Sequence, residues 1–321
     1  PYYMEYRTGG SIIRVFRPKV LTFGDKRLLG RITMKMNQWA VCRCFKKIEE
    51  RFDIVYAHFW TSGYNIMPCA IKYQLPLFVA SGEDKIFFTQ LISSREVLQL
   101  KRVVRGVICV STKNLKECIA LNLVEKDTCI ILPNAVNLDE FYRMEKSIVR
   151  GRLGYAVNDF IVVFVGRFVH RKGAKRVSDA IAKLKDDSIK SDETNDEEPN
   201  CSGILFKGKL KHSDIPLYLN SADVFILPSL AEGCSNSIVE ALACGLPVIS
   251  SDMEFNYDIL NTSNAILINP LDVEEIAKSI KYLKEDKSLC KQMSFSAIKT
   301  AQTLNYSDRV LKILEFIENK K

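Results

Sequence analysis

The chain has 321 residues, more than one hydrophobic core usually serves, because cores stop growing near roughly 250–300 residues, so two domains are expected. Hydrophobic residues at 47% and charged residues at 26% exclude a disordered, collagen-like or coiled-coil chain. The net charge of +8 divides into +10 over residues 1–150 and −2 over 151–321, which directs the first half toward a polyanion: nucleic acid, an anionic membrane surface or a phosphorylated substrate.

In chain order, PYYMEYRTGG lacks the apolar segment of a signal peptide, and its Gly9-Gly10 pair reads as a simple turn with no convincing strand before it. Residues 26–52 carry a helical pattern in which Trp39, Val41, Phe45, Ile48 and Phe52 share a stripe and Arg31, Lys35, Arg43, Lys46, Lys47 and Arg51 line much of the rest. The ordinary reading is a core-packed helix with a charged outer face. The alternative is a basic face resting on an anionic membrane.

Strands are expected at FDIVYAH (52–58), PLFVAS (76–81), GVICVS (106–111), TCIILPN (128–134), DFIVVFVG (159–166), GILFKG (203–208), DVFILPS (223–229), LPVISSD (246–252) and AILINP (265–270). Alternating with helical segments, they predict α/β layers with mostly parallel strands. The domain seam is expected near 134–157, and the acidic stretch 186–200 reads as a solvated loop. No apolar run approaches the roughly 18 residues of a membrane span. The ten cysteines include no CxxC and there are three histidines, so no zinc or haem site forms at normal spacing, and a reducing, cytosolic compartment is expected.

The most informative segment is SADVFILPSLAEGCSNSIVEALACGLPVISSD, 221–252. A strand ends in the loop AEGCSNS, Gly233 permits a tight turn, and Ser235 or Asn236 can cap the helix that follows. First-turn N–H groups at the carboxyl end of a parallel sheet suit phosphate. Glu232 and Glu240 frame the turn, and carboxylates accept hydrogen bonds from sugar or ribose hydroxyls, so the arrangement suits a nucleotide sugar.

With those residues in view, the sequence resembles family 4 of the retaining glycosyltransferases, whose motif is Glu-x7-Glu. FVGRFVHRKGAKRVSDAI (164–181) looks like its Gly-Arg…Lys-Gly element, ILPNAVNLDEFY (131–142) like its Pro-Asn-Gly-Val-Asp…Phe linker, and residues 52–84 like its N-domain His-x-His…Gly region. The resemblance implies a GT-B fold, an α/β architecture of two Rossmann-like domains with a donor cleft between them. Residues 1–150 would hold the acceptor, 151–305 the nucleotide sugar, and 306–321 a helix crossing back to the N-terminal domain. Position by position, Arg167 and Lys172 would bind the donor diphosphate, Glu232 the transferred sugar, and Glu240 the ribose. Gly166, Gly233, Cys234, Ser235, Asn236 and Ser237 would line the donor site.

The implied reaction is a metal-independent, retaining hexosyl transfer from a nucleoside-diphosphate sugar, a co-substrate with no further cofactor, to a glycan or polyprenyl-linked acceptor in envelope polysaccharide synthesis. The implied location is cytoplasmic, peripheral on the inner face of the cell membrane, with no nucleic-acid partner. Three departures accompany the resemblance. The family's first strand and Gly-rich loop are not recognisable, so the N-terminal domain is expected to be truncated or degenerate. VASGED places Ser81 where the family often has histidine, followed by Glu83 and Asp84, which either bind acceptor or donor or cap a helix start. The Gly-x-Gly turn of the C-terminal domain is replaced by the acidic stretch. His58 is expected to be a buried structural histidine. The alternative function is a catalytically impaired GT-B protein acting as a nucleotide-sugar binder or partner subunit. A nicotinamide dehydrogenase is disfavoured because no G-x-G-x-x-G follows a strand.

Overall fold

Short β-branched runs bounded by turn residues become parallel strands when helices cover the crossovers. The computed structural model describes residues 2–8, 10–24, 27–185 and 198–321. By internal contacts the chain divides into Pro1–Leu132 with Ile313–Lys321, and Pro133–Lys312.

The first unit opens with an antiparallel hairpin, β1 (Tyr3–Thr8) and β2 (Ser11–Phe16), so a strand does precede the turn at Gly10, whose φ is 80°. Helix α1 (Arg27–Phe45) follows and is shorter than the 26–52 pattern suggests. Then come β3 (Val55–His58), α2 (Trp60–Lys72), β4 (Leu77–Ser81), α3 (Ser94–Val103), β5 (Val104–Cys109), α4 (Thr112–Ala120) and β6 (Cys129–Ile131). The four strands β3–β6 form a parallel sheet in sequence order, and among the described residues no strand N-terminal to β3 joins it. Trp60, Tyr64, Leu77, Val79, Leu100, Val107 and Leu123 centre its core. Gly106 is a packing glycine, since a Cβ there would lie 2.6 Å from the Phe316 ring.

The second unit runs through α5 (Lys146–Leu153), β7 (Val162–Val163), α6 (Ala174–Lys185), α7 (Ile215–Ser221), β8 (Val224–Leu227), α8 (Asn236–Ala243), β9 (Val248–Ser251), β10 (Ala265–Ile268), α9 (Val273–Glu285), α10 (Lys287–Gln302) and α11 (Tyr306–Lys320), whose last residues group with the first unit. The parallel sheet has the order β7-β8-β9-β10. Its two central strands, β8 and β9, are buried on both faces, as strands covered by helices on each side must be.

The expected strand at 203–208 does not form. All six residues are exposed, and the Phe206 ring leans on Tyr218 at 4.8 Å and against Gly208, so the segment joins no sheet ladder. Most of the acidic stretch expected to be a loop (186–197) lies outside the described residues. Next to it, Glu198 is exposed and sits 3.7 Å from Lys207.

A buried ion cluster fixes the start of the second sheet. Arg150 is 2% exposed and donates to the carbonyls of Ser221, Val157 and Asp159 and to the Asp223 carboxylate at 2.7 Å. Asp223 also accepts from Ile161 N at 2.7 Å and from Lys146 at 2.7 Å. Arg150→Met removes the buried charge that satisfies three carbonyls and one oxygen of Asp223, leaving those carbonyls without their donor, and is expected to cost about 3–5 kcal/mol in urea unfolding. Lys146→Ala, at the more exposed end, should cost less than about 1 kcal/mol.

Helix α3 begins with a capping box: Ser93 accepts from Glu96 N, and Glu96 accepts from Ser93 N. Burial opposes ionisation of Glu96, but bonds from Lys35, the Ser93 backbone, Tyr64 and the Ser93 hydroxyl outweigh it and bring its pKa from 4.5 to about 2. A carboxylate depressed in the folded state stabilises above its unfolded value. That stability should therefore be lost as pH falls from about 4.5 to about 2. Acid titration of the melting temperature should show this loss in the natural chain and a shallower one in Glu96→Gln.

Candidate active site

The site-forming loops arise from strand register. Val162 pairs with Val224 and Val163 with Phe225, so the carboxyl ends of β7 and β8 lie side by side. The loops that follow, 164–173 and 228–235, are then joined by Leu230 N to Arg171 O at 2.8 Å. Arg176, 9% exposed, ties them again by donating to the carbonyls of His170 and Pro228, both at 2.9 Å. The serines of the VISSD segment hold the end of β8: Ser250 Oγ donates to Leu227 O at 2.8 Å and Ser251 Oγ to Ser229 O at 2.5 Å.

On this frame, Lys172 Nζ lies 2.5 Å from Glu232 Oε1, with side chains only 15% and 10% exposed. Ser229 Oγ donates to the same carboxylate at 2.5 Å, and Arg171 stands 3.5 Å from its other oxygen while donating to Ala231 O. Two of the three residues implied by the resemblance to carry the reaction are thus brought together. Arg167, the third, is exposed on the loop after β7, and its carbonyl accepts from Val169 N. Arg171 and Ser229 escaped the sequence reading. Arg171 adjoins Lys172 and was masked by it, whereas Ser229 had no signal beyond its place at a strand end.

The glycine constraint sits elsewhere than expected. Gly233 is buried without a left-handed φ, whereas Gly173, next to Lys172, has φ 78° and a Cβ there would meet Pro228 at 2.9 Å. Gly166 is exposed, and a Cβ there would lie 3.1 Å from the Phe164 ring.

Ser235 is the N-cap of α8, but its side chain accepts no capping bond and pairs instead with the Ser237 hydroxyl at 3.1 Å. The helix start, with Asn236 exposed and Ser237 half-buried, therefore presents backbone N–H groups without a serine cap over them. Cys234 is buried, and desolvation pushes its thiol up to about 12, which removes it as a nucleophile. Asn134 of the linker holds this turn, donating to Cys234 O at 2.9 Å and Asn236 Oδ1 at 2.7 Å. Glu240, half-buried, lies 3.1 Å from His212 Nε2 in a cavity of about 200 Å³ lined also by Asn137, Glu140, Asn236 and Tyr306. His212 was missed because 28 residues separate it from Glu240.

In the first unit, Ser81 and Glu83 serve the fold. The Glu83 carboxylate accepts from Trp60 N at 2.6 Å, the first residue of α2, and from Gly82 N and Ser81 Oγ. It caps the helix before it in sequence rather than starting its own, and burial pushes its pKa up against these bonds. Asp84 accepts from Lys85 N. His58 is exposed, not buried, with its ring edge-on to Tyr56 at 5.3 Å. No group of three or more His, Cys, Asp and Glu able to hold a metal occurs among the described residues.

Residues 159–286 match the family model described as glycosyl transferases group 1. The Bacillus subtilis protein named teichuronic acid biosynthesis glycosyltransferase TuaC is 28% identical over 75% of this chain and 64% of its own length. The Escherichia coli UDP-Gal:alpha-D-GlcNAc-diphosphoundecaprenol alpha-1,3-galactosyltransferase is 25% identical over 98% of this chain and 89% of its own. A Campylobacter jejuni N,N'-diacetylbacillosaminyl-diphospho-undecaprenol alpha-1,3-N-acetylgalactosaminyltransferase is 27% identical over 64% of this chain, and the match spans 57% of that relative. Among solved structures, sucrose-phosphate synthase from Thermosynechococcus elongatus superimposes with TM-score 0.77 at 19% identity, over 99% of this chain and 85% of its own. Anabaena HepE in complex with UDP gives 0.69 at 18% identity, over 92% and 85%. The chain shares the GT-B fold of these structures.

The ion pair itself is testable. Lys172→Met and Glu232→Gln should each lower unfolding stability by about 1–3 kcal/mol, and the double variant should lose less than the sum of the two. Strict additivity in urea titrations would mean that the two side chains do not meet in solution.

Proposed function

We propose, starting from a chain that carries a group 1 glycosyl transferase domain at residues 159–286, that it is a retaining, metal-independent glycosyltransferase. It moves a sugar from a nucleoside-diphosphate sugar to a lipid-linked glycan acceptor in envelope polysaccharide synthesis, working in the cytoplasm at the inner face of the membrane. The observation that carries the reading is the Lys172–Glu232 pair at 2.5 Å on loops that also lead into α8. A cation for diphosphate and a carboxylate for sugar hydroxyls stand within one hydrogen bond of each other, beside a helix start suited to anions. Relatives named for transfer to diphospho-undecaprenol acceptors support the acceptor class.

In this reading the C1–O bond to the diphosphate breaks with its electron pair going to the leaving group. Lys172, Arg167 and the α8 N–H groups stabilise that charge. The acceptor oxygen bonds C1 on the face the diphosphate leaves, and its proton passes to a departing phosphate oxygen. Glu232 orients the sugar, and Glu240, next to His212, takes the ribose hydroxyls. Gly166 and the 233–237 turn approach the phosphates. No cofactor beyond the donor is required.

A panel of uridine-, guanosine- and adenosine-diphosphate sugars, offered with a polyprenyl-diphosphate-linked sugar, tests the proposal. One donor should turn over to a product of retained anomeric configuration in the presence of a chelator. Glu232→Ala and Lys172→Ala, assayed where both stay folded, should lose about 10²-fold or more in kcat. Tight donor binding with no transfer would instead assign a nucleotide-sugar-binding partner subunit, and an inverted product or loss of activity to the chelator would overturn the mechanism.

A further inference from the structure

Helix α1 contradicts its sequence expectation in one respect that has a use. Its inward side is made by Met34, Ala40 and Cys44. Trp39, assigned to the core stripe by periodicity, is 55% exposed, together with Leu28 at 70% and Ile32 at 41%. Positions 28, 32, 35, 39 and 43 follow one another at steps of three or four, so these apolar side chains share the outward face with Lys35 and Arg43. Arg31, Ile32, Lys35, Met36 and Trp39 line a shallow apolar groove there.

The charge the helix itself contributes has one sign: from Arg27 to Ile48 the sequence contains no Asp or Glu. Lys35 is paired with Glu96 at 2.5 Å, and the Arg43 guanidinium lies over the Trp39 ring at 5.1 Å. The segment before the helix adds exposed Leu21 and Phe23, held along α1 by Phe23 N to Thr33 Oγ1 and Thr33 Oγ1 to Gly24 O, both at 2.9 Å.

We propose that this outward face of α1 is where the chain lies on an anionic lipid bilayer. Leu28, Ile32 and Trp39 enter the boundary between headgroups and acyl chains, while Arg31, Arg43 and Lys46 meet lipid phosphates. Exposed apolar residues interleaved with cations, on a helix that has no Asp or Glu of its own, are the composition of an interfacial helix, and tryptophan is the residue that favours that boundary. With Lys35 neutralised by Glu96, the cations left on this face, Arg31, Arg43 and Lys46, are complementary to an anionic surface rather than to a mixed-charge protein patch. No helix among the described residues is long and apolar enough to cross a membrane, so the contact is one of lying on the bilayer. The proposal deepens the proposed function by naming where lipid meets the chain, and its test does not require sugar transfer.

The two tryptophans make the experiment specific. Trp39 is exposed and Trp60 is 0% exposed, so a spectral response to lipid reports Trp39. With the full chain, vesicles of phosphatidylcholine mixed with phosphatidylglycerol should shift Trp39 emission to the blue, and brominated acyl chains should quench it. Vesicles of phosphatidylcholine alone should do neither. Trp39→Phe should abolish the shift while co-sedimentation persists. Arg43→Ser should weaken partitioning roughly five-fold, and added salt should weaken it further. Leu28→Ser with Ile32→Ser, at exposed positions, should reduce binding with an unchanged melting temperature. Equal binding to both vesicles, or sedimentation with unmoved Trp39 emission, would overturn the proposal. So would a concentration-dependent shift without lipid, which would assign the face to a second copy of the chain. Donor binding by thermal shift in the same samples separates failure of this surface from failure of the transferase reading.

Discussion

The second unit depends on the burial of one guanidinium. Arg150 joins α5, the residues leading into β7 and the start of β8 through three backbone carbonyls and the Asp223 carboxylate. A fully desolvated charge is tolerated only when every donor finds an acceptor, so these segments cannot shift independently. Asp223 extends the constraint by accepting from Ile161 N, while Asp223 N donates to Ile161 O at 2.8 Å. That exchange sets the register of β7 on β8.

Register at the amino ends decides what meets at the carboxyl ends. The loops after β7 and β8 come together through Arg171 O and Leu230 N, and Arg176 repeats the tie with two bonds from a buried side chain. Gly173, in a left-handed conformation against Pro228, allows the close approach that presents Lys172 to Glu232. The pair is therefore a consequence of sheet geometry, and its members are held in place before any ligand arrives. Such preorganisation is what makes charged groups effective against a developing charge.

Much of this was legible because it is written locally. The runs at 223–229, 246–252 and 265–270 are apolar, short and bounded by turns, and they form β8, β9 and β10. The Glu-x7-Glu spacing placed Glu232 in a loop and Glu240 inside a helix. What was not legible depends on distant partners. Nothing near Ser229 or His212 in the sequence announces their bonds to Glu232 and Glu240. The 203–208 run has strand composition but finds no ladder. The α1 stripe was misassigned because periodicity finds a face without saying whether water or protein covers it, and Trp39 lies on the water side.

Two carboxylates, Glu83 in the first unit and Glu232 in the second, are held in contrasting ways. In the first unit, Phe59 has a φ of 69°, a strained conformation for an aromatic residue, with its N–H bonded to Ala80 O at 2.8 Å. The next N–H, of Trp60, is held by Glu83, whose remaining capacity goes to Gly82 N and Ser81 Oγ. That carboxylate is consumed by the backbone it stabilises. In the second unit, the partners of Glu232 among the described residues are the side chains of Lys172, Ser229 and Arg171, each able to trade its partner for a ligand oxygen. A carboxylate committed to backbone amides holds a fold, whereas one paired with side-chain donors can exchange them for ligand oxygens, which is the property the proposed function asks of the loops after β7 and β8.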